Sequence, residues 1–161
     1  MSICKRLREH LDARNLRYVI ISHSQAFTAQ EIAASLHVPG REMAKTVVTK
    51  SPQGLALCVI RAMDKVDVEL VAARLGTTHA RLATEQEFQH HFPDCEMGAM
   101  PPFGNLYDIP TLVDEALTHD REIVFNAGTH VDAIRMSYAD FAAMAKPKVG
   151  HICLSLAGAR H

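Results

Sequence analysis

The chain has 161 residues, 48% hydrophobic and 22% charged, a length and balance that predict one globular domain and exclude a disordered, collagen-like or coiled-coil protein. Seventeen Lys and Arg stand against 18 Asp and Glu, a formal charge of -1, so the whole molecule lacks the basic field of a non-specific nucleic-acid binder. The longest segment free of Asp, Glu, Lys and Arg, Tyr18 to Gln30, is too short to span a bilayer, and the charged Lys5-Arg6 so near the start is unlike a secretory signal, so the expectation is a cytoplasmic chain with no membrane partner.

Ile3, Leu7, Leu11 and Leu16 keep one face apolar, which predicts a surface helix over residues 2 to 15. Tyr18-Val19-Ile20-Ile21 reads as a buried strand. Thr28-Ala29-Gln30-Glu31 has the spacing of a capping box and opens a helix to about His37, ended by Pro39-Gly40. Two β-rich runs, Ala44 to Lys50 and Leu55 to Arg61, flank Ser51-Pro52-Gln53-Gly54 and predict a hairpin. Asp67 caps a helix that Gly76 stops after Leu75, and Thr84 to Glu87 opens another. Met97 to Pro110, rich in Pro and Gly, is a long loop. Short strands are expected at Thr111 to Asp114, Glu122 to Asn126 and Val131 to Met136, before a helix over Tyr138 to Ala145 capped by Ser137. The order predicts an α/β fold: one domain over residues 1–161, a mixed, mainly antiparallel sheet with helices packed around it.

The familiar catalytic signatures are missing. His90-His91 are adjacent and project on different sides of a helix, and no HExxH or Cys/His cluster offers three convergent ligands, so no metal and no cofactor is expected. No GxSxG elbow or GxxxxGK[ST] loop is present. Cys4, Cys58, Cys95 and Cys153 form no close pair and read as reduced and structural, with Cys95 nucleophilic only if a base lay beside it.

A sparse constellation remains. Lys45 enters an apolar strand, where an ammonium must snorkel to water or hold an anion. Gly98-Ala99-Met100-Pro101-Pro102-Phe103-Gly104 brackets a rigid Pro-Pro with glycines, so backbone donors could approach a ligand or a developing oxyanion. His130, after Gly128-Thr129, is of a residue type suited to proton transfer, but a histidine so placed is more often a surface or hydrogen-bonded residue than a general base. Residue types and spacing alone leave the function open.

The ordered set His23, Thr28-x-x-Glu31-x-Ala33, Ala44-Lys45-Thr46, Gly98-x-x-x-Pro102-Phe103-Gly104, Asp114 and Gly128-Thr129-His130 resembles the YbaK/EbsC family over about residues 15 to 147. That family of aminoacyl-tRNA deacylases includes ProX-type proteins and the editing insertion of bacterial prolyl-tRNA synthetases. The resemblance implies a trans-editing enzyme that hydrolyses the ester of mischarged tRNA, without cofactor, binding the acceptor end and working beside an aminoacyl-tRNA synthetase. It implies that Lys45 meets the phosphate of the terminal adenosine and that Gly98 supplies backbone near the scissile ester. Backbone groups and the ribose hydroxyl of the tRNA would position the attacking water, with His130 as a base or a contact. His23, Phe27, Thr28, Ala99, Met100, Pro101, Pro102, Phe103, Gly104, Gly128 and Thr129 would form the substrate site, with Phe27, Met100, Pro101 and His130 lining the amino-acid pocket.

Three departures touch this expectation: Pro101 stands where relatives often carry Ser or Thr, Val149 to His161 runs past the match, and His130 matches the family pattern only loosely. From Arg41 to Lys65, five basic residues (Arg41, Lys45, Lys50, Arg61, Lys65) face two acidic ones (Glu42, Asp64), a local surplus that suits an acceptor end or, equally, a solvated hairpin. The competing readings are a non-catalytic domain that binds tRNA or a synthetase, and a small-molecule esterase.

Overall fold

The computed structural model describes residues 5–22 and 43–154. Helix α1 (Lys5–Ala13) buries Leu7 and Leu11 and turns its charges outward, the stripe its leucine spacing dictates. Strand β1 (Val19–Ser22) follows. The helix expected from Thr28, together with His23 and Phe27, lies outside the described residues.

Strands β2 (Ala44–Ser51) and β3 (Gly54–Arg61) form the expected hairpin, paired from Ala44↔Arg61 to Ser51↔Gly54. The turn closes because Ser51 Oγ accepts from Gln53 N–H at 3.1 Å and Gly54 adopts φ +118°, a conformation that side chains disfavour. In helix α2 (Val68–Leu75), Asp67 accepts from the Glu69 and Leu70 amides, and left-handed Gly76 ends the helix. Strand β4 (Arg81–Leu82) leads into helix α3 (Glu85–Phe88), whose capping box has both bonds, Thr84 with Glu87. Glu87 also binds Arg81 at 2.8 and 2.6 Å and Lys50 at 3.4 Å, tying α3 to β4 and β2.

Strand β5 (Thr111–Asp114), the antiparallel pair β6 (Glu122–Thr129) and β7 (Asp132–Ser137), helix α4 (Tyr138–Ala145) and strand β8 (Lys148–Gly150) complete the described chain. Ser137 caps α4 by accepting from Asp140 N–H, as expected. The strands form a three-stranded sheet, β1-β7-β6, and a five-stranded sheet, β4-β2-β3-β5-β8. The β3–β5 and β5–β8 pairings are parallel and the others antiparallel. A parallel bridge from Met43 to Val124 joins the two sheets.

The α/β class is as expected, with two corrections to its elements. The Tyr18 to Ile21 segment is not buried: β1 pairs only with β7 among the described residues, leaving Val19 57% and Ile20 39% exposed. Strand β6 runs on to Thr129, so Gly128 and Thr129 belong to it rather than to a connection. As far as Leu154, the segment past the family resemblance is built into the fold: β8 adds to the sheet, Ile152 O accepts from Asp67 N–H, and Leu154 N–H donates to Lys65 O, both at 2.8 Å. Two or three residues of ordinary composition, as in β4 and β8, leave no periodic signal.

On one face of the five-stranded sheet, Val59 and Val113 pack with Leu7, Leu11, Ile123, Phe125, Ile134 and Phe141. On the other, Cys58, Ile60 and Leu112 pack with Val71 of α2 and with Ile152. Phe103 sits between Phe125 and Phe141 with ring centroids 5.5 and 5.3 Å apart, and each such buried ring contributes about 1.5 to 3 kcal/mol. Among the described residues no helix is long and apolar enough to cross a membrane.

One backbone knot fixes the long loop. Gly104 N–H donates to Thr111 Oγ1 at 3.0 Å and Gly104 O accepts from the Tyr107 and Ile109 amides. A Cβ on Gly104 would overlap the Ile109 carbonyl oxygen and Thr111 Oγ1. Gly104→Ala is therefore expected to lower stability by about 1 to 3 kcal/mol, read as a lower urea midpoint with an unchanged slope; an unchanged midpoint would show that the knot yields without cost.

Candidate functional site

Lys45 follows the Met43 bridge in β2 and pairs across the hairpin with Ile60. Strand alternation places its side chain on the face of Val47, Cys58 and Ile60. It is half-buried, and burial pulls the ammonium below its ordinary value, a pull partly opposed by the Asp64 carboxylate. No described residue gives Lys45 a hydrogen bond or ion pair. The surrounding basic patch is thinner than its residue count suggested. Asp64 takes Arg61 through bonds of 2.7 and 3.3 Å, and Glu87 takes Lys50; Arg41 and Glu42 lie outside the described residues.

The loop is organised by its backbone. Ala99 N–H donates to Glu96 O at 3.0 Å, closing a turn in which Gly98 has φ +86°, a position where glycine is favoured. The turn is pinned to β6: Glu96 N–H donates to Gly128 O at 2.8 Å and Gly128 N–H donates to Ala99 O at 2.9 Å. Of the residues Gly98 to Gly104, Gly98 alone is exposed.

Most amides in this loop are already committed. Ala99 bonds Glu96, Phe103 bonds Pro101, Gly104 bonds Thr111, and the prolines have no N–H. Gly98 N–H donates to the Met100 thioether at 3.2 Å, a weak acceptor that a stronger one displaces. Gly98 is also the exposed residue of this loop, so its amide is a candidate donor to an oxygen anion arriving there.

Several of the expected substrate residues are buried or already hydrogen-bonded within the fold. Phe103 is fully buried among aromatic rings and has no surface to offer a ligand. Met100 packs with Phe88, Phe92 and Tyr107, and Ala99, Pro101, Pro102 and Gly104 are also buried. The Thr129 hydroxyl donates to Asp132 at 2.8 Å and accepts from the Val131 and Asp132 amides, so it is spent on the β6–β7 turn.

His130 stands at that turn, half-buried, with Nε2 at 2.7 Å from Met97 O. A carbonyl only accepts, so Nε2 carries the proton and donates, which leaves Nδ1 as the ring nitrogen able to take one. His130 N–H donates to Glu96 Oε1 at 2.7 Å. A Cβ on Gly98 would stand 3.3 Å from His130 Cε1, so ring and glycine are in close contact. The structure thus brings together Gly98, Ala99, Gly128 and His130, and adds Glu96. Lys45 shares no hydrogen bond with them but flanks the same strand, since Met43 bridges Val124.

A second polar cluster lies at the C-terminal segment. Ligand atoms of Asp64, Asp114 and Cys153, all buried, lie within 4.8 Å of one another, the donor types of a divalent-metal site. The oxygens are already engaged: Asp64 holds Arg61, while Asp114 accepts from Ile152 N–H at 2.9 Å and Ala116 N–H at 3.0 Å. The arrangement fastens β5 to the terminal segment. Burial, reinforced by Asp114 and Asp64, pushes the Cys153 thiol above its ordinary range, and burial raises Cys58 to about 11. Cys95 lies against Tyr107 Oη at 3.3 Å and Asp94 Oδ1 at 3.7 Å.

This α/β arrangement is found in solved structures. "Hypothetical protein APE2540" matches with a TM-score of 0.83 at 20% identity, over 93% of this chain and 100% of that one. A proposed trans-editing enzyme for prolyl tRNA synthetase matches with a TM-score of 0.79 at 22% identity, over 93% and 96%. A proposed signal transduction protein from Marinobacter aquaeolei VT8 matches with a TM-score of 0.76 at 18% identity, over 97% of this chain and 32% of that one. At such identities the likeness establishes the fold, which by itself does not dictate activity. A comparison with curated proteins gives no significant match. The model of the aminoacyl-tRNA editing domain matches residues 23–144; the chain belongs to that family, of the YbaK-like kind that the ordered motifs resemble.

The thiol environments are directly measurable. Brief alkylation of the native protein at pH 8, followed by mass spectrometry, is expected to leave Cys58 and Cys153 unlabelled until denaturant is added. Prompt labelling of Cys153 in the native protein would contradict its burial between carboxylates.

Proposed function

We propose that the protein is a trans-editing deacylase that hydrolyses the ester joining a wrong amino acid to tRNA. The observation that carries this reading is Gly98, an exposed residue held at positive φ whose amide N–H is met only by a thioether. Family membership supports an aminoacyl-tRNA substrate and a working relation to a synthetase.

In the proposed reaction a water oxygen bonds to the ester carbon. The charge that gathers on the carbonyl oxygen is met by the Gly98 N–H in place of the Met100 sulfur. The bond to the ribose oxygen then breaks and that oxygen takes the proton given up by the attacking water, releasing the free amino acid and intact tRNA. Such an amide contributes about 100- to 1,000-fold. Lys45 meets a backbone phosphate of the acceptor end: an ammonium drawn partly out of water and without an ion-pair partner among the described residues gains most from an arriving anion. The attacking water takes its orientation from backbone groups and from the substrate's own ribose hydroxyl, while His130 keeps its Nε2 proton on Met97 O.

The test is a panel of tRNAs charged with alanine, serine, threonine, cysteine or proline, followed for loss of the ester. Hydrolysis of at least one above the buffer rate is expected, and Lys45→Ala should reduce kcat/KM by about 10- to 100-fold, the size of a lost charge-assisted contact. Binding of tRNA with no hydrolysis of any member would replace the deacylase by a tRNA-binding regulatory domain.

The pH dependence has a definite sign. Lys45 acts as the protonated ammonium and burial lowers its pKa, so the protein-dependent rate should fall with rising pH before an ordinary lysine near 10.4 would lose its proton. Lys45→Arg should move that fall to higher pH, because a guanidinium stays charged. An alkaline limb in the same place for both proteins would show that another group sets it.

A further inference from the structure

We propose that Glu96 and His130 are a pair of positioning residues that hold the Gly98 amide where the ester carbonyl arrives; this rests on the deacylase reading above. The Glu96 carboxylate takes His130 N–H at 2.7 Å, and His130 returns Nε2–H to Met97 O, also at 2.7 Å. Between these bonds lie two backbone links, Glu96 N–H to Gly128 O at 2.8 Å and Gly128 N–H to Ala99 O at 2.9 Å. The peptide that carries the Gly98 amide also carries the Met97 carbonyl, so the bond from His130 fixes the orientation of that whole planar group.

The rigidity has a chemical use. A peptide plane at a glycine with positive φ can rotate easily, because no Cβ restrains it. Donors stabilise an oxyanion well only when they are already aimed, and a small misplacement of a donor costs rate rather than binding. Glu96 is exposed, so its bond to His130 N–H is not a demand of core packing. His130 acts through the same plane, and its Nε2 proton is committed to that task.

The experiment uses the full chain and whichever of alanyl-, seryl-, threonyl-, cysteinyl- or prolyl-tRNA the wild type hydrolyses fastest. Glu96→Ala is expected to lower kcat about 10- to 100-fold with KM within about threefold of wild type, the cost of misaiming one donor. Glu96→Gln keeps an oxygen acceptor for His130 N–H and should restore kcat to within about threefold. His130→Gln, which keeps an N–H for Met97 but cannot act as a base at neutral pH, should retain more kcat than His130→Ala. Amide exchange of His130 should quicken in Glu96→Ala while the thermal midpoint stays within a few degrees. Unchanged kcat in Glu96→Ala, a loss that Gln fails to rescue, or equal losses in the two His130 variants would overturn the pair. If the wild type hydrolyses no charged tRNA, the deacylase reading fails; unaltered His130 amide exchange in Glu96→Ala would separately refute the clamp itself.

Discussion

Strand β6 changes partners along one edge, and the candidate site exists because of it. Its other edge pairs with β7 from Glu122 to Thr129, with one irregularity after Asn126. On the free edge, Val124 bridges Met43 at the entrance to β2. Further on, Gly128 is taken by Glu96 and Ala99. An amide or carbonyl left bare on that edge would be costly in a buried strand, so where β2 and β6 part company the turn at Glu96–Ala99 fills the place of the missing strand. The consequence is a short backbone turn tied to β6 near its end, with Lys45 in the strand that begins beside the Met43–Val124 bridge.

The loop's composition then has two separable purposes. Pro101, Pro102, Phe103 and Gly104 are buried, and Phe103 is clasped by Phe125 and Phe141. They anchor the loop by packing and by the Gly104 knot, and reach a substrate only through the rigidity they lend. Gly98 is the part shown to solvent. A motif that reads as one functional string thus divides into an anchor and a presented amide, and substitution of Pro101 belongs to the packed portion.

Much of the fold was legible because its signals are local. Asp67, Thr84 with Glu87, and Ser137 all cap the helices expected of them, since a carboxylate or hydroxyl at a helix start meets amides only a few positions away. The Ser51–Gly54 turn is local in the same sense. The exposure of Val19 and Ile20 was not legible, because an apolar run looks alike in a central and an edge strand. Lys45 stood out as a charge in an apolar run. Glu96 gave no such sign: an exposed glutamate before a loop is ordinary, and its meaning comes from His130, far along the chain, folding back onto it. The proton on His130 Nε2 is likewise set by a partner, the Met97 carbonyl, that no motif includes.

The net charge of -1 also takes on a sharper meaning. Arg61 is neutralised by Asp64, and Lys50 and Arg81 share Glu87, so the residues between Lys45 and Lys65 present less positive field than their count suggests. Long-range steering of a polyanion needs unpaired surface charge; a close phosphate contact needs one well-placed cation. On the proposed reading, Lys45 serves the second purpose. Binding would then rest on few phosphates and vary shallowly with salt, since each neutralised phosphate adds roughly one unit to the logarithmic salt slope. Discrimination would fall to the chemical step at Gly98, because loosely held tRNAs exchange quickly and only the ester that fits the aimed amide is cleaved before it leaves.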